Sequence, residues 1–157
     1  AKTLAGKRQL PAKMPVLMTE LAEKIQQIPT DLPLFIAGKS MGGRVATLLA
    51  ASELLPAQVK GVIAFGYPFH PPKKDNWRTE HFIDLKRSVL VLQGERDPFG
   101  SSEELAGKSW PLIDLKWLPS GDHDFVPLKK SGLSQQQLIE QSASLSRSFI
   151  DECILEN

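Results

Sequence analysis

Ser40 stands where two chemical signals overlap, in the string LFIAGKSMGGR over residues 34–44. Gly38-Lys39-Ser40 is the tail of a loop that cradles phosphate, whereas Gly38-x-Ser40-x-Gly42 is a turn that presents a serine hydroxyl to a carbonyl. The phosphate loop opens with a glycine, so that the chain can leave its strand and wrap an anion. Here that position is Pro33, and Leu34, Phe35, Ile36 and Ala37 behind it are strand residues that leave no room for a cradle. A second strand ending in a metal-binding aspartate is also lacking, since residues 59–66 read VKGVIAFG. The string is therefore read as the serine turn.

Such a turn needs small residues two before and two after the serine, and Gly38 and Gly42 occupy those places. Gly43 lets the helix that follows pack close to the sheet, and the Met41 N–H, at the start of that helix, is placed to face an oxyanion. The plain alternative is a tight strand-to-helix turn with an exposed serine. A serine hydroxyl is a weak nucleophile; it needs a base, and the base needs an orienting acid. Behind a turn of this kind the chain order is serine, acid, histidine, with the acid after a later strand and the histidine after the last. Of the three histidines only His123, in PSGDHDF, follows the last predicted strand; His70 and His81 lie in the connection before the third. Asp97, in LQGERDPFG, comes three residues beyond a predicted strand, with Pro98 stiffening its loop. Asp122 and Asp124 flank His123, but immediate neighbours rarely bend back to orient the same ring. Taken singly, His123 reads equally as a loop histidine, and Asp97 as the cap of a helix starting near Ser101. Together, in this order and at strand ends, they are the candidate base and acid. Lys39 and Arg44 beside the turn read as solvated or salt-bridged charges, with attraction of an acidic substrate as the alternative.

The rest of the chain has to hold these groups. Residues 1–13 are basic and without period, and read as an exposed, irregular segment. Residues 15–28 space Val16, Leu17, Leu21, Ile25 and Ile28 as one face of a helix that ends near Pro29. LPLFIAG, residues 32–38, reads as a strand buried on both faces, and residues 41–55 as a helix that stops at Pro56. Residues 59–66 and 88–94 are two further apolar strands, and residues 112–119 a fourth nearer an edge. The connection between the second and third strands is polar and proline-rich, a loop with a short helical turn, too short for a substantial cap over the site. Residues 134–155 close the chain as a helix with Leu138, Leu145, Phe149 and Cys153 on one face and Ser134 with Gln137 as a capping box. Strands alternating with helices predict an α/β fold, a mostly parallel sheet with helices on both faces, in one domain over residues 1–157. A net charge of +1 gives no bulk field for nucleic acid, and no apolar run approaches the ~18 residues that span a bilayer. One cysteine, Cys153, excludes an internal disulfide and fits a reducing, cytoplasmic setting. No His, Cys and Asp cluster has metal-ligand spacing, and serine chemistry requires neither metal nor cofactor.

At GKSMGGR (38–44), GERDPFG (94–100) and GDHDF (121–125) the sequence resembles the α/β-hydrolase superfamily. It is most similar to small, lidless proteins related to dienelactone hydrolases, a group with testis-expressed, chromatin-complex and bacterial members. The likeness runs from Pro15 onward. It implies Ser40 as nucleophile, His123 as general base and acid, Asp97 as its partner, Met41 as one oxyanion donor, and Gly38, Gly42 and Gly43 as the glycines of the nucleophile elbow. It also implies about four strands ahead of the elbow, the third followed by a loop carrying the second oxyanion N–H. Only 32 residues precede Pro33. We therefore expect about 40 to 60 further residues at the native N-terminus, given ordinary strand and connection lengths. A truncated sheet short of one oxyanion donor is the alternative, and that loss costs ~10²-fold or more in rate. The expected activity is that of a carboxylesterase- or thioesterase-like serine hydrolase on a small-molecule acyl substrate, with no nucleic-acid or membrane partner. A non-catalytic hydrolase-like module, binding through the same pocket, is the alternative from another class.

Overall fold

The computed structural model describes residues 3–4, 7–8 and 13–156. Thr3–Leu4 (β1) and Lys7–Arg8 (β2) pair as a minimal antiparallel ladder; the expectation of an exposed, irregular segment over residues 1–13 otherwise falls mostly outside the described residues. Met14–Gln26 (α1) carries Pro15 in its first turn, where a missing N–H costs nothing.

The sheet follows from four runs that can lose both faces to the interior. Leu34–Lys39 (β3), Val59–Phe65 (β4), Ser88–Gly94 (β5) and Ile113–Leu118 (β6) lie side by side in that order, all parallel. The central strands β4 and β5 are buried almost throughout and read as unbroken apolar runs, as strands covered on both faces must. The fourth strand does lie at an edge, with Lys116 exposed. β3 departs from expectation. It is the other edge strand, and only Ile36 is buried while Ala37 is exposed, because no described strand pairs with its outer side.

Alternation along β4 and β5 divides the core in two. Val62, Ala64, Val89 and Val91 face one layer with Ala22 and Ile25 of α1 and Ala46, Leu49 and Ala50 of Met41–Ala50 (α2). Ile63, Leu90 and Leu92 face the other, against Leu138, Phe149 and Cys153 of Gln135–Leu155 (α3). Helices thus cover both faces. Ser134 caps α3 as the sequence predicts: its side chain accepts from the Gln137 N–H while the Gln137 side chain accepts from the Ser134 N–H. α2 ends at Ala50 rather than near Pro56, because the Ser52 hydroxyl takes the Leu49 carbonyl and the Leu54 N–H for itself, offering the backbone an alternative to the helix.

The connection after β4 is less polar inside than its composition implies. It carries the expected short helical turn, Glu80–Asp84, yet Tyr67, Phe69 and Phe82 in it are wholly or almost wholly buried. Their rings meet edge-on or tilted at 4.9–6.4 Å, and Trp110 stacks on Phe69 at 6.0 Å. No period in the sequence marks these aromatics, because they pack on one another as a knot and not as a helix or strand face. No helix among the described residues is long and apolar enough to cross a membrane.

Candidate active site

Everything at the site hangs from the ends of β3, β5 and β6. β3 turns into α2 at Ser40, whose backbone is held at φ 52° and ψ −116°. For a non-glycine residue this conformation costs about 1–3 kcal/mol and persists only when its surroundings impose it. They do: the Ser40 N–H donates to the Phe65 carbonyl at 2.8 Å, and the Arg44 N–H donates to the Ser40 carbonyl at 3.1 Å. The turn closes so tightly that a Cβ on Gly38 would lie 2.4 Å from the Gly42 carbonyl carbon, and one on Gly43 would lie 2.9 Å from the Ala64 Cβ. Gly42 corrects the symmetric expectation for the two flanking glycines. A Cβ there meets nothing within 4 Å, so the packing within the described residues demands glycine at 38 and 43 but not at 42.

A serine before a helix ordinarily caps it through Oγ. Ser40 makes no such bond; its Oγ lies 3.0 Å from His123 Nε2. The first N–H groups of α2, Met41's included, have no acceptor within the helix and lie at the positive end of its dipole. His123 Nδ1 donates to Asp97 Oδ2 at 2.8 Å, and Asp97 Oδ1 accepts the Phe99 N–H at 2.8 Å. Asp97 is fully buried. It caps no helix; the turn near Ser101 is served by Glu104 instead. The structure thus brings Ser40, His123 and Asp97 into one hydrogen-bonded chain, with Met41 next to it. An acceptor-only carboxylate at Nδ1 places the imidazole proton there and leaves Nε2 free to take the serine proton.

Asp122 and Asp124 build and tether the His123 loop without touching its ring nitrogens. Asp122 Oδ1 accepts the N–H groups of Asp124 and Val126, each at 2.9 Å, and the Phe125 N–H donates to the Asp122 carbonyl at 3.1 Å. Asp124 pairs with Lys39, which holds its carboxyl below the usual carboxylate range and settles Lys39 as a salt-bridged charge. Both partners are exposed, so the pair contributes little to stability. Arg44 is half-buried, and its Nε is buried with no hydrogen-bond partner among the described residues.

Several positioning residues carry no signal in a strand-and-motif reading. Arg96, next to the acid, donates from Nε to the Ser120 carbonyl at 2.7 Å and from Nη2 to the Val126 carbonyl at 3.0 Å, lacing the Asp97 loop to the His123 loop. Gly94 marks the end of β5 in sequence, but its larger role is spatial: a Cβ there would lie 2.3 Å from the Asp122 carbonyl oxygen. Gly66, at φ 63°, leaves room for the imidazole, and the Phe99 ring packs on His123 at 4.5 Å. The fully buried Gln93 amide reaches Asp97 Oδ2 at 3.2 Å.

Asp97 raises the pKa of His123 above its usual 6.5, first through the hydrogen bond, with burial opposing. This pair therefore stabilises the fold fully below about pH 6.5 and loses that contribution as pH rises through the higher folded value. The other histidines serve the fold. Burial, aided by Arg44, pushes His81 down to about 4, and its Nε2 lies 2.9 Å from the Thr47 hydroxyl. His70 is buried between the Pro71 carbonyl and Glu104, each at 2.8 Å. Beside His123 and Lys39 opens a cavity of about 620 Å³ with Phe65, Phe125, Val126 and Ile139 in its wall. Among the described residues no group of three or more His, Cys, Asp or Glu side chains is placed to hold a metal ion.

A parallel sheet with helices on both faces, and a serine at a strained turn from a strand into a helix, is the arrangement of an α/β-hydrolase architecture. The chain belongs to the family described as alpha/beta hydrolase domain, whose model matches residues 1–151. No curated protein matches it. Among solved structures it is similar to Est1E from Butyrivibrio proteoclasticus, at TM-score 0.60 and 15% identity over 86% of this chain and 67% of that one. It is similar also to an alpha-beta serine hydrolase homologue from Coxiella burnetii, at TM-score 0.58 and 19% identity over 92% of this chain and 64% of the other. A serine hydrolase involved in carbazole degradation matches at TM-score 0.57 and 13% identity, over 74% of this chain and 66% of that one. At these identities the likeness is one of fold. The matched part spans about two thirds of the length of each of these proteins.

Proposed function

We propose that this protein is a serine hydrolase that cleaves a small ester or thioester through an acyl-enzyme. The observation that carries the reading is the continuous chain Ser40 Oγ to His123 Nε2 at 3.0 Å and His123 Nδ1 to Asp97 Oδ2 at 2.8 Å. His123 Nε2 takes the hydroxyl proton as Oγ attacks the acyl carbon, and the tetrahedral oxyanion is held by the Met41 N–H at the positive end of α2. The imidazolium then returns its proton to the departing alkoxide or thiolate, leaving the acyl group on Ser40. Water, deprotonated by the same nitrogen, releases the acid and restores the serine. The cavity beside His123, with Phe65 and Phe125 in its wall, suits an apolar acyl group.

The test is covalent. A fluorophosphonate probe should modify the folded protein once, on the peptide containing Ser40, with labelling lost on His123→Ala because no base remains. A folded protein that resists the probe and hydrolyses no p-nitrophenyl ester or thioester would instead be a binding module using the same cavity.

The pH dependence follows from His123. The base must be neutral, and Asp97 makes it hold its proton to higher pH. The acidic limb of kcat/KM should therefore lie above pH 6.5, and Asp97→Asn should move it down while lowering kcat by about 10⁴-fold, the scale for loss of the orienting carboxylate. A limb at or below 6.5 in the native enzyme would contradict this pairing.

A further inference from the structure

Gln93 is the sixth residue of β5, after the buried Val89, Leu90, Val91 and Leu92, and is itself wholly buried. A primary amide left unanswered in such a place costs free energy at each polar atom. This one is answered everywhere. The Tyr67 N–H donates to Oε1 at 2.8 Å, and because a backbone N–H can only donate, it fixes which end of the amide is oxygen. Nε2 then faces acceptors alone: the Tyr67 carbonyl at 3.0 Å, the Gly100 carbonyl at 3.1 Å and Asp97 Oδ2 at 3.2 Å. The amide thus clamps the exit of β4 and the turn beyond the acid, and it reaches the same carboxylate oxygen that receives His123 Nδ1–H.

We propose that Gln93 is a positioning residue for the hydrolytic reaction, holding Asp97 Oδ2 on His123 and sharing the charge with which that oxygen draws on the imidazole. The assignment rests on the reading of Ser40, His123 and Asp97 as the catalytic chain. Asp97 keeps its orientation because each oxygen has a donor besides the histidine or in its stead: Phe99 N–H on Oδ1, Gln93 Nε2 on Oδ2. The charged groups facing His123 are Asp97, Asp124 and Lys39, and Gln93 acts through the first of them.

Gln93→Met keeps length and bulk but removes the donor, and Gln93→Glu keeps the shape and the acceptor for Tyr67. With p-nitrophenyl esters, Gln93→Met should lower kcat about 10- to 100-fold, the range for losing a hydrogen bond to a charged group, with KM little changed. Oδ2, relieved of one donor, draws harder on the imidazolium. The acidic limb of kcat/KM and the NMR titration of the His123 ring, assigned against His123→Gln, should both move to higher pH. Gln93→Glu, buried and facing two carbonyls and the Asp97 carboxylate, holds its proton and can donate again, so it should bring both back toward their native values. Should Gln93→Met fail to fold, Gln93→Leu carries the same test. Native limb and native His123 titration in a Met or Leu variant that has only lost stability would overturn the proposal and leave Gln93 as a strut. The ring titration needs no turnover: a native protein that neither labels nor hydrolyses sinks the proposed function, while the titration still decides whether Gln93 governs Asp97.

Discussion

Ser40→Ala should abolish hydrolysis, lowering kcat by about 10⁶-fold, while the protein folds and melts much as before. The size of the loss reflects a group that works only as part of a unit. Without Oγ there is nothing for His123 to deprotonate, and what remains is whatever the α2 N-terminus and the cavity do for direct attack by water. His123→Ala should cost about as much, and the double variant no more than the larger single loss. Losses that multiply in the double variant would mean that the two side chains act independently, against the 3.0 Å contact between them. The fold should survive because Oγ makes no bond to the helix it precedes, and alanine at φ 52° is no more strained than serine. Rates of p-nitrophenyl ester turnover beside thermal melts separate these outcomes.

Gly38→Ala carries a large expected cost in stability. Its Cβ would sit 2.4 Å from the Gly42 carbonyl carbon, 2.6 Å from that carbonyl's oxygen and 2.6 Å from the Gly43 nitrogen. All three are backbone atoms of the turn and the first residues of α2, so no rotamer change relieves the contact; strand and helix must part. We expect about 3 kcal/mol or more of destabilisation, the scale of severe overpacking, and loss of activity as Ser40 leaves His123. Gly42→Ala is the matched control. With open space around its Cβ, and alanine the better helix former by about 1 kcal/mol, it should be neutral or slightly stabilising. Urea unfolding of both variants measures the contrast. Equal losses at the two positions would show that the turn needs small residues on both sides of the serine, as the motif alone implies.

That contrast shows how the motif and the packing divide the information. The turn at residues 38–43 and the run of strands and helices were legible because each depends on local chemistry, and the order of the serine's partners because this kind of turn prescribes it. Unbroken apolar runs make strands lined on both faces, Ser134 with Gln137 makes a cap, and a serine between glycines makes a sharp turn. The exposure of Ala37 in β3 was not legible, because an apolar run reads the same whatever packs beside it. The aromatic knot of Tyr67, Phe69 and Phe82 was hidden in a polar connection for a similar reason: its rings find one another in space, at no fixed interval.

By itself, then, the sequence determined which side chains are available for the chemistry and at which strand ends they stand, since strand, turn and cap are set within a few residues of one another. Only the tertiary structure decided how they are held. It put Gln93 and Phe99 on the two oxygens of Asp97, Arg96 across to the loop of His123, and Gly94 against that loop's backbone. It also turned Ser40 Oγ away from its helix and onto the imidazole. These contacts join the ends of separate parallel strands, and their geometry depends on sheet register and loop packing, which no spacing along one chain encodes.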